Sequence, residues 1–174
     1  MRFLSVPLVL ALVPLAFAQN PGVVVDNEYV RVLSIVDPPA SKPGKLHDHK
    51  NNRVMIHLDA AEIQLKHEDG RVEDQHWKTG DVAWSPAGGF HTSQNLSGKP
   101  VRIIHIELLQ PAPVSKESGT RKGSAVIDNA QVRVYRGSKA PATGNYVAID
   151  PAAVVIRWNK LPEGSGPFLI AELK

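Results

Sequence analysis

The chain has 174 residues, with 20 Lys+Arg against 17 Asp+Glu, a formal charge of +3 and no cysteine. That length suits one domain with a small appendage. The lack of cysteine excludes disulfide staples, a thiol nucleophile and a cysteine-linked lipid anchor, while basic residues scattered among acids give no support to nucleic-acid binding.

From the N-terminus, Arg2 precedes an apolar run from Phe3 to Phe17, and Ala16-Phe17-Ala18 stands before Gln19. This is the pattern of a secretory signal peptide over residues 1–18, cleaved near Ala18. The run is too short, and too interrupted by Pro7 and Pro14, to read as a membrane span. Export to a periplasmic or extracellular space is expected, with no membrane association after cleavage.

Short β-like segments follow. Val23 to Val36 is rich in branched residues, and Tyr29, Arg31, Leu33 and Ile35 alternate along it. Asp37-Pro38-Pro39 and Lys42-Pro43-Gly44 are turn signals. His47-Asp48-His49 comes next; on a strand, residues at i and i+2 point to the same face about 6–7 Å apart, close enough to converge on one ion. Val54 to Leu58, Ala61 to His67, Arg71 to Lys78, Asp81 to Trp84 and Val101 to Leu109 read as further strands. Asp69-Gly70 suits a hairpin tip, and Thr79-Gly80, Pro86-Ala87-Gly88-Gly89 and Ser97-Gly98-Lys99-Pro100 mark other turns. No stretch has a helical period, so an all-β sandwich or barrel is expected.

Gln110 to Gly123 is polar and holds Pro111 and Pro113, which predicts an exposed connector over 111–123. Beyond it the chain repeats itself. Val24-Val25-Asp26-Asn27-Glu28-Tyr29-Val30-Arg31-Val32 is echoed by Val126-Ile127-Asp128-Asn129-Ala130-Gln131-Val132-Arg133-Val134, and Ile106-Glu107-Leu108 by Ala171-Glu172-Leu173. No histidine follows His105. Residues 124–174 therefore read as an eroded second copy that adds strands and carries no metal site, beside a main barrel over 19–110.

The spacing Gly80, Pro86, Gly88, His91, Asn95, together with His47 and His49, resembles the two motifs of the cupin superfamily. All five fixed positions of the second motif match. The first keeps both histidines, with Gly44 at a shortened spacing, and departs at the acid, where the two eligible positions hold Arg53 and Val54. The resemblance covers about residues 22–110. It implies a double-stranded β-helix, the jelly-roll barrel, with His47, His49 and His91 as ligands of a divalent ion (Fe, Mn, Ni or Zn). It also implies that such barrels pair through outer strands, so a homodimer is among the expected assemblies.

Three imidazoles without a carboxylate leave the ion's charge uncompensated and coordination positions free for water or a small molecule. Two function classes stay open. One is a metal-dependent enzyme of dioxygenase, isomerase or lyase type; the other is a non-catalytic small-ligand binding or sensing module, which need hold no metal. His57 could face inward as a substitute ligand, while His67, His76 and His105 are expected on outer or exposed faces. Arg53 either pairs with an anionic substrate or is a solvated strand end. Trp84 and Phe90 wall the cavity or pack in the core. Asn95 is expected to bond backbone in its turn, which argues against use of the Asn95-Leu96-Ser97 sequon.

Overall fold

The computed structural model describes residues 22–40, 42–109 and 125–174. The expected signal peptide and connector lie outside the described residues. Thirteen strands and no helix occur among the described residues: β1 (Gly22–Asp26), β2 (Val30–Asp37), β3 (Arg53–His57), β4 (Ala61–His67), β5 (Val72–Trp77), β6 (Val82–Ser85), β7 (His91–Asn95), β8 (Val101–Leu108), β9 (Ala125–Asp128), β10 (Val132–Gly137), β11 (Tyr146–Asp150), β12 (Val155–Trp158) and β13 (Phe168–Leu173). The predicted run from Val23 to Val36 is broken in two, because the Asn27 side-chain oxygen accepts from the backbone N–H groups of Tyr29 and Val30 and turns the chain. One strand of the barrel went unpredicted. β7 reads His-Thr-Ser-Gln-Asn, with no apolar alternation to reveal it.

Three antiparallel sheets result, in the orders β1-β2-β8-β3-β6, β5-β4-β7 and β12-β11-β13-β10-β9. The first two face each other across a cavity of about 1040 Å³ and form the barrel. Strand alternation divides β8 between two environments. Ile103, His105 and Glu107 point into the cavity, whereas Ile104, Ile106 and Leu108 point away from it into the main core.

That main core lies between the first sheet and the third. Val30, Val32, Val54, Ile56, Ile104 and Ile106 meet Val132, Val134, Val147, Ile149, Leu169 and Ala171. At roughly 1.5–3 kcal/mol per buried aliphatic side chain, this layer is the largest source of hydrophobic stabilisation in the chain. The other face of the third sheet is covered in turn by a smaller cluster of Tyr135, Tyr146, Phe168 and Ile170 with Leu161. The outer face of the barrel's long sheet is thus covered by the same chain's own C-terminal sheet.

The long sheet and the C-terminal sheet are built alike. Replacing β1, β2, β8, β3 and β6 by β9, β10, β13, β11 and β12 turns one strand order into the other. The correspondence reaches individual bonds. Asn129 Oδ1 accepts from Gln131 and Val132 as Asn27 does from Tyr29 and Val30. Leu108 and Leu109 donate to Asn52 and Tyr29 as Leu173 and Lys174 donate to Asn145 and Gln131. What the C-terminal unit lacks is any counterpart of β4, β5 and β7, the sheet that closes the barrel and carries His91.

Candidate metal centre

The segment carrying His47 and His49 is not a regular strand. It runs extended beside β7, joined by an isolated antiparallel bridge in which His47 and His91 exchange backbone hydrogen bonds of 3.0 and 2.9 Å. Gly44 N donates to Ser93 O at 2.9 Å and Gly88 N to His49 O at 2.7 Å, extending the pairing to both sides. A side chain at position 44 would place its Cβ 3.3 Å from the Ser93 carbonyl, so glycine permits this close approach. Gly88 and Gly89 take φ values of +90° and +79°, a region that side chains resist; they turn the chain so that β7 starts with His91 beside the pair.

The three imidazoles meet. Ring centroids are 5.0 Å apart for His47 and His49, 4.7 Å for His47 and His91, and 5.2 Å for His49 and His91. One ligand atom from each lies within 4.8 Å of the others. Two atoms held at about 2.1 Å by one ion span at most ~4.2 Å, so small ring rotations suffice to bring the trio onto a single ion. The rings are also oriented. His47 Nδ1 bonds the Lys45 carbonyl at 2.9 Å and His91 Nδ1 the Gly89 carbonyl at 3.0 Å. A ring nitrogen donating to a carbonyl carries the proton, which leaves each Nε2 lone pair free for a metal.

Burial, reinforced by the Arg53 charge and the neighbouring histidines, pushes His49 down to about 4. Burial also lowers His91. Both rings are therefore neutral near pH 7, the form that binds metal. The donor set is chemically suited to Fe, Ni, Cu or Zn.

The remaining sequence expectations divide. His76 is exposed, as expected. His67 and His105 instead line the cavity, with His67 5.9 Å from the His91 ring and His105 6.4 Å from the His49 ring. For His67 the signal was present, since it continues the inward row Ala61, Ile63, Leu65 on β4. Its ring pairs with Glu73 at 3.4 Å. For His105 the alternation misleads, because the row it shares with Glu107 reads as a solvent face opposite Ile104, Ile106 and Leu108. Burial, with the Arg53 charge next in size, pushes His105 down to about 3. Glu107, also on the inward face of β8, was not singled out at all.

His57 does face inward but stands apart from the trio. It is 2% exposed and stacks on Trp77 at 4.1 Å, and neither ring nitrogen meets a partner among the described residues. Arg53 is 5% exposed, which rules out a solvated strand end. Its strand partner is Glu107. Trp84 packs on the main core, and Phe90, 45% exposed, belongs to no core cluster among the described residues.

Asn95 behaves as its motif position predicts. Nδ2 donates to the carbonyls of Asp37 and Lys99, each at 2.9 Å, and Oδ1 accepts from Ser97 N at 2.9 Å. The residue is buried, so its sequon is sterically closed to a glycan. Asn95→Ala leaves these backbone groups without their partner; a loss of about 3 kcal/mol in urea unfolding is expected, and a loss below ~1 kcal/mol would contradict the role.

A scan of protein-family models finds no match, and no curated protein is similar. Solved structures are. The fold is a cupin-type double-stranded β-helix. A cupin domain from Bordetella pertussis is similar at 25% identity and TM-score 0.47 over 51% of this chain and 91% of its own. A double-stranded β-helix protein from Klebsiella pneumoniae follows at 20% and 0.42, over 51% and 75%. A cupin family protein from Methanocaldococcus jannaschii stands at 21% and 0.41, over 53% and 84%. The cupin reading of the fold stands on the barrel's own sheets and motif residues, with the histidine trio lining its cavity.

Proposed function

We propose that this cupin-type barrel holds one divalent ion on His47, His49 and His91 and presents it to a small molecule in the cavity. The observation that carries the reading is the convergence of three imidazole ligand atoms within 4.8 Å beside a cavity of about 1040 Å³. The fit of the residues to an ion supports it: two rings have their Nδ1 positions taken by carbonyls, which leaves each Nε2 lone pair to an ion. When bound, such an ion acts as a Lewis acid on a coordinated oxygen or nitrogen. The chain's own residues supply the rest. Arg53 places a positive charge beside the trio, and neutral His105 offers a donor or acceptor in the next row.

The finer reading is a metal-dependent reaction on a small molecule, of dioxygenase, isomerase or lyase type. A non-catalytic binding module is the second reading, favoured by Arg53 standing where the family pattern has an acid. Metal analysis of the purified protein, with melting temperatures measured on adding Fe(II), Mn(II), Ni(II) or Zn(II), tests the metal site. One ion per chain is expected, and a rise in stability of about 2.7 kcal/mol at a hundredfold excess over the dissociation constant. No bound metal and no shift with any of the four would sink the reading. Turnover in a substrate screen, with oxygen uptake monitored, then separates enzyme from binder.

A further inference from the structure

The inward face of the long sheet carries its polar groups in rows. Register places Arg53 opposite Glu107, Met55 opposite His105 and His57 opposite Ile103. Arg53 heads this face next to the histidine trio, and its charge acts on both His49 and His91. Although 5% exposed, its Nε and Nη1 meet no acceptor among the described residues. Glu107 acts on it only through its charge. A buried guanidinium with two unpartnered nitrogens costs stability, so packing alone gives no reason to keep it there.

We infer that Arg53 is the anchor for the carboxylate of a small organic monoanion, whose apolar body lies along Leu33, Met55 and Ile103. The planar guanidinium fork matches a carboxylate with two parallel hydrogen bonds. A single negative charge is the better fit than a phosphate dianion. Of the other cations on the wall, Arg71 is already paired with Glu73 at 3.2 Å and Lys45 is exposed to solvent, and Glu107 offsets part of Arg53's charge. The length of the site is set by the strand: His57, four residues along β3, ends it about 13 Å away, with its stack on Trp77. This proposal rests on the reading of the cavity as a ligand site and names the ligand's class, and it holds with or without the ion.

The test compares butanoate and phenylacetate with butanamide and phenylacetamide, and with inorganic phosphate, as ligands of the full-length protein. Binding is read by calorimetry and melting temperature, after chelator treatment and again with Zn(II). Each acid is expected to bind about 10- to 100-fold more tightly than its amide, since the amide forfeits charge-assisted bonds. Arg53→Met should erase that preference without weakening Zn(II) binding, since a positive charge beside the trio is removed, with an unliganded melting temperature no lower than wild type; Arg53→Lys should restore part of the preference. Acids and amides binding alike, no acid binding at all, or phosphate binding more tightly than either acid overturns the assignment. So does a preference for acids that survives Arg53→Met. The wild-type comparison stands by itself if the variants fail to fold. Loss of Zn(II) binding with the acid preference intact would remove the metal reading alone.

Discussion

Alanine at position 91 is expected to abolish metal-dependent stabilisation. His91 is one of only three protein donors in the trio, and it alone comes from the opposite motif. Removing a group that merely orients a ligand already weakens metal binding about 10–100-fold; removing the ligand itself should exceed ~100-fold. Calorimetric titration with Zn(II) or Ni(II) checks this directly. His76→Ala, on the exposed face of β5, should bind as wild type. His105→Ala is the sharper control, since its ring lies 6.4 Å from His49 and inside the same cavity, yet outside the trio. Retention of tight binding in His91→Ala, or equal losses in the His91 and His105 variants, would show that the ion is held by another set of donors.

The second large effect is structural. Ile106→Ala should destabilise the protein by about 3–4 kcal/mol in urea unfolding, within the range for large-to-small changes at fully buried aliphatic sites. Ile106 is fully buried at the centre of β8, opposite Val32 on one side and Val54 on the other, and packs outward against the C-terminal sheet. Ile103→Ala on the same strand should lose clearly less, about 1–2 kcal/mol, because its side chain borders a cavity that exists in the native protein and leaves fewer contacts to forfeit. An equal or reversed order would mean that the interface between barrel and C-terminal sheet contributes less than its burial indicates.

These two expectations draw on different parts of the chain's legibility. The histidine trio was readable because its determinants are local. Gly44, Gly88 and Gly89 mark close approaches and left-handed backbone, Asn95 ties its own loop, and the two histidine segments announce themselves by spacing. Strands β3 to β6 and β8 were readable to within a residue or two because branched residues alternate between turn signals. β7 escaped notice because a strand made of His, Thr, Ser, Gln and Asn has no apolar rhythm; it is held by pairing with β4 and with the His47 segment.

The cavity's other polar lining was harder. His67 could have been placed by following β4's alternation, but Arg53, His57, His105 and Glu107 could not. On β3 and β8 these residues alternate with Val54, Ile56, Ile104, Ile106 and Leu108, and a period of two by itself reads the polar row as the solvent face, whereas here it faces an enclosed cavity.

The sequence by itself determined an all-β barrel, its three candidate ligands and the turn that delivers the third, because each depends on residues close together in the chain and on backbone geometry only a few residue types adopt. Which way β3 and β8 face was decided by the tertiary structure. The C-terminal sheet covers one side of the long sheet with aliphatic side chains, and burial there assigns the outward row to the core, leaving Arg53, His57, His105 and Glu107 to line the cavity.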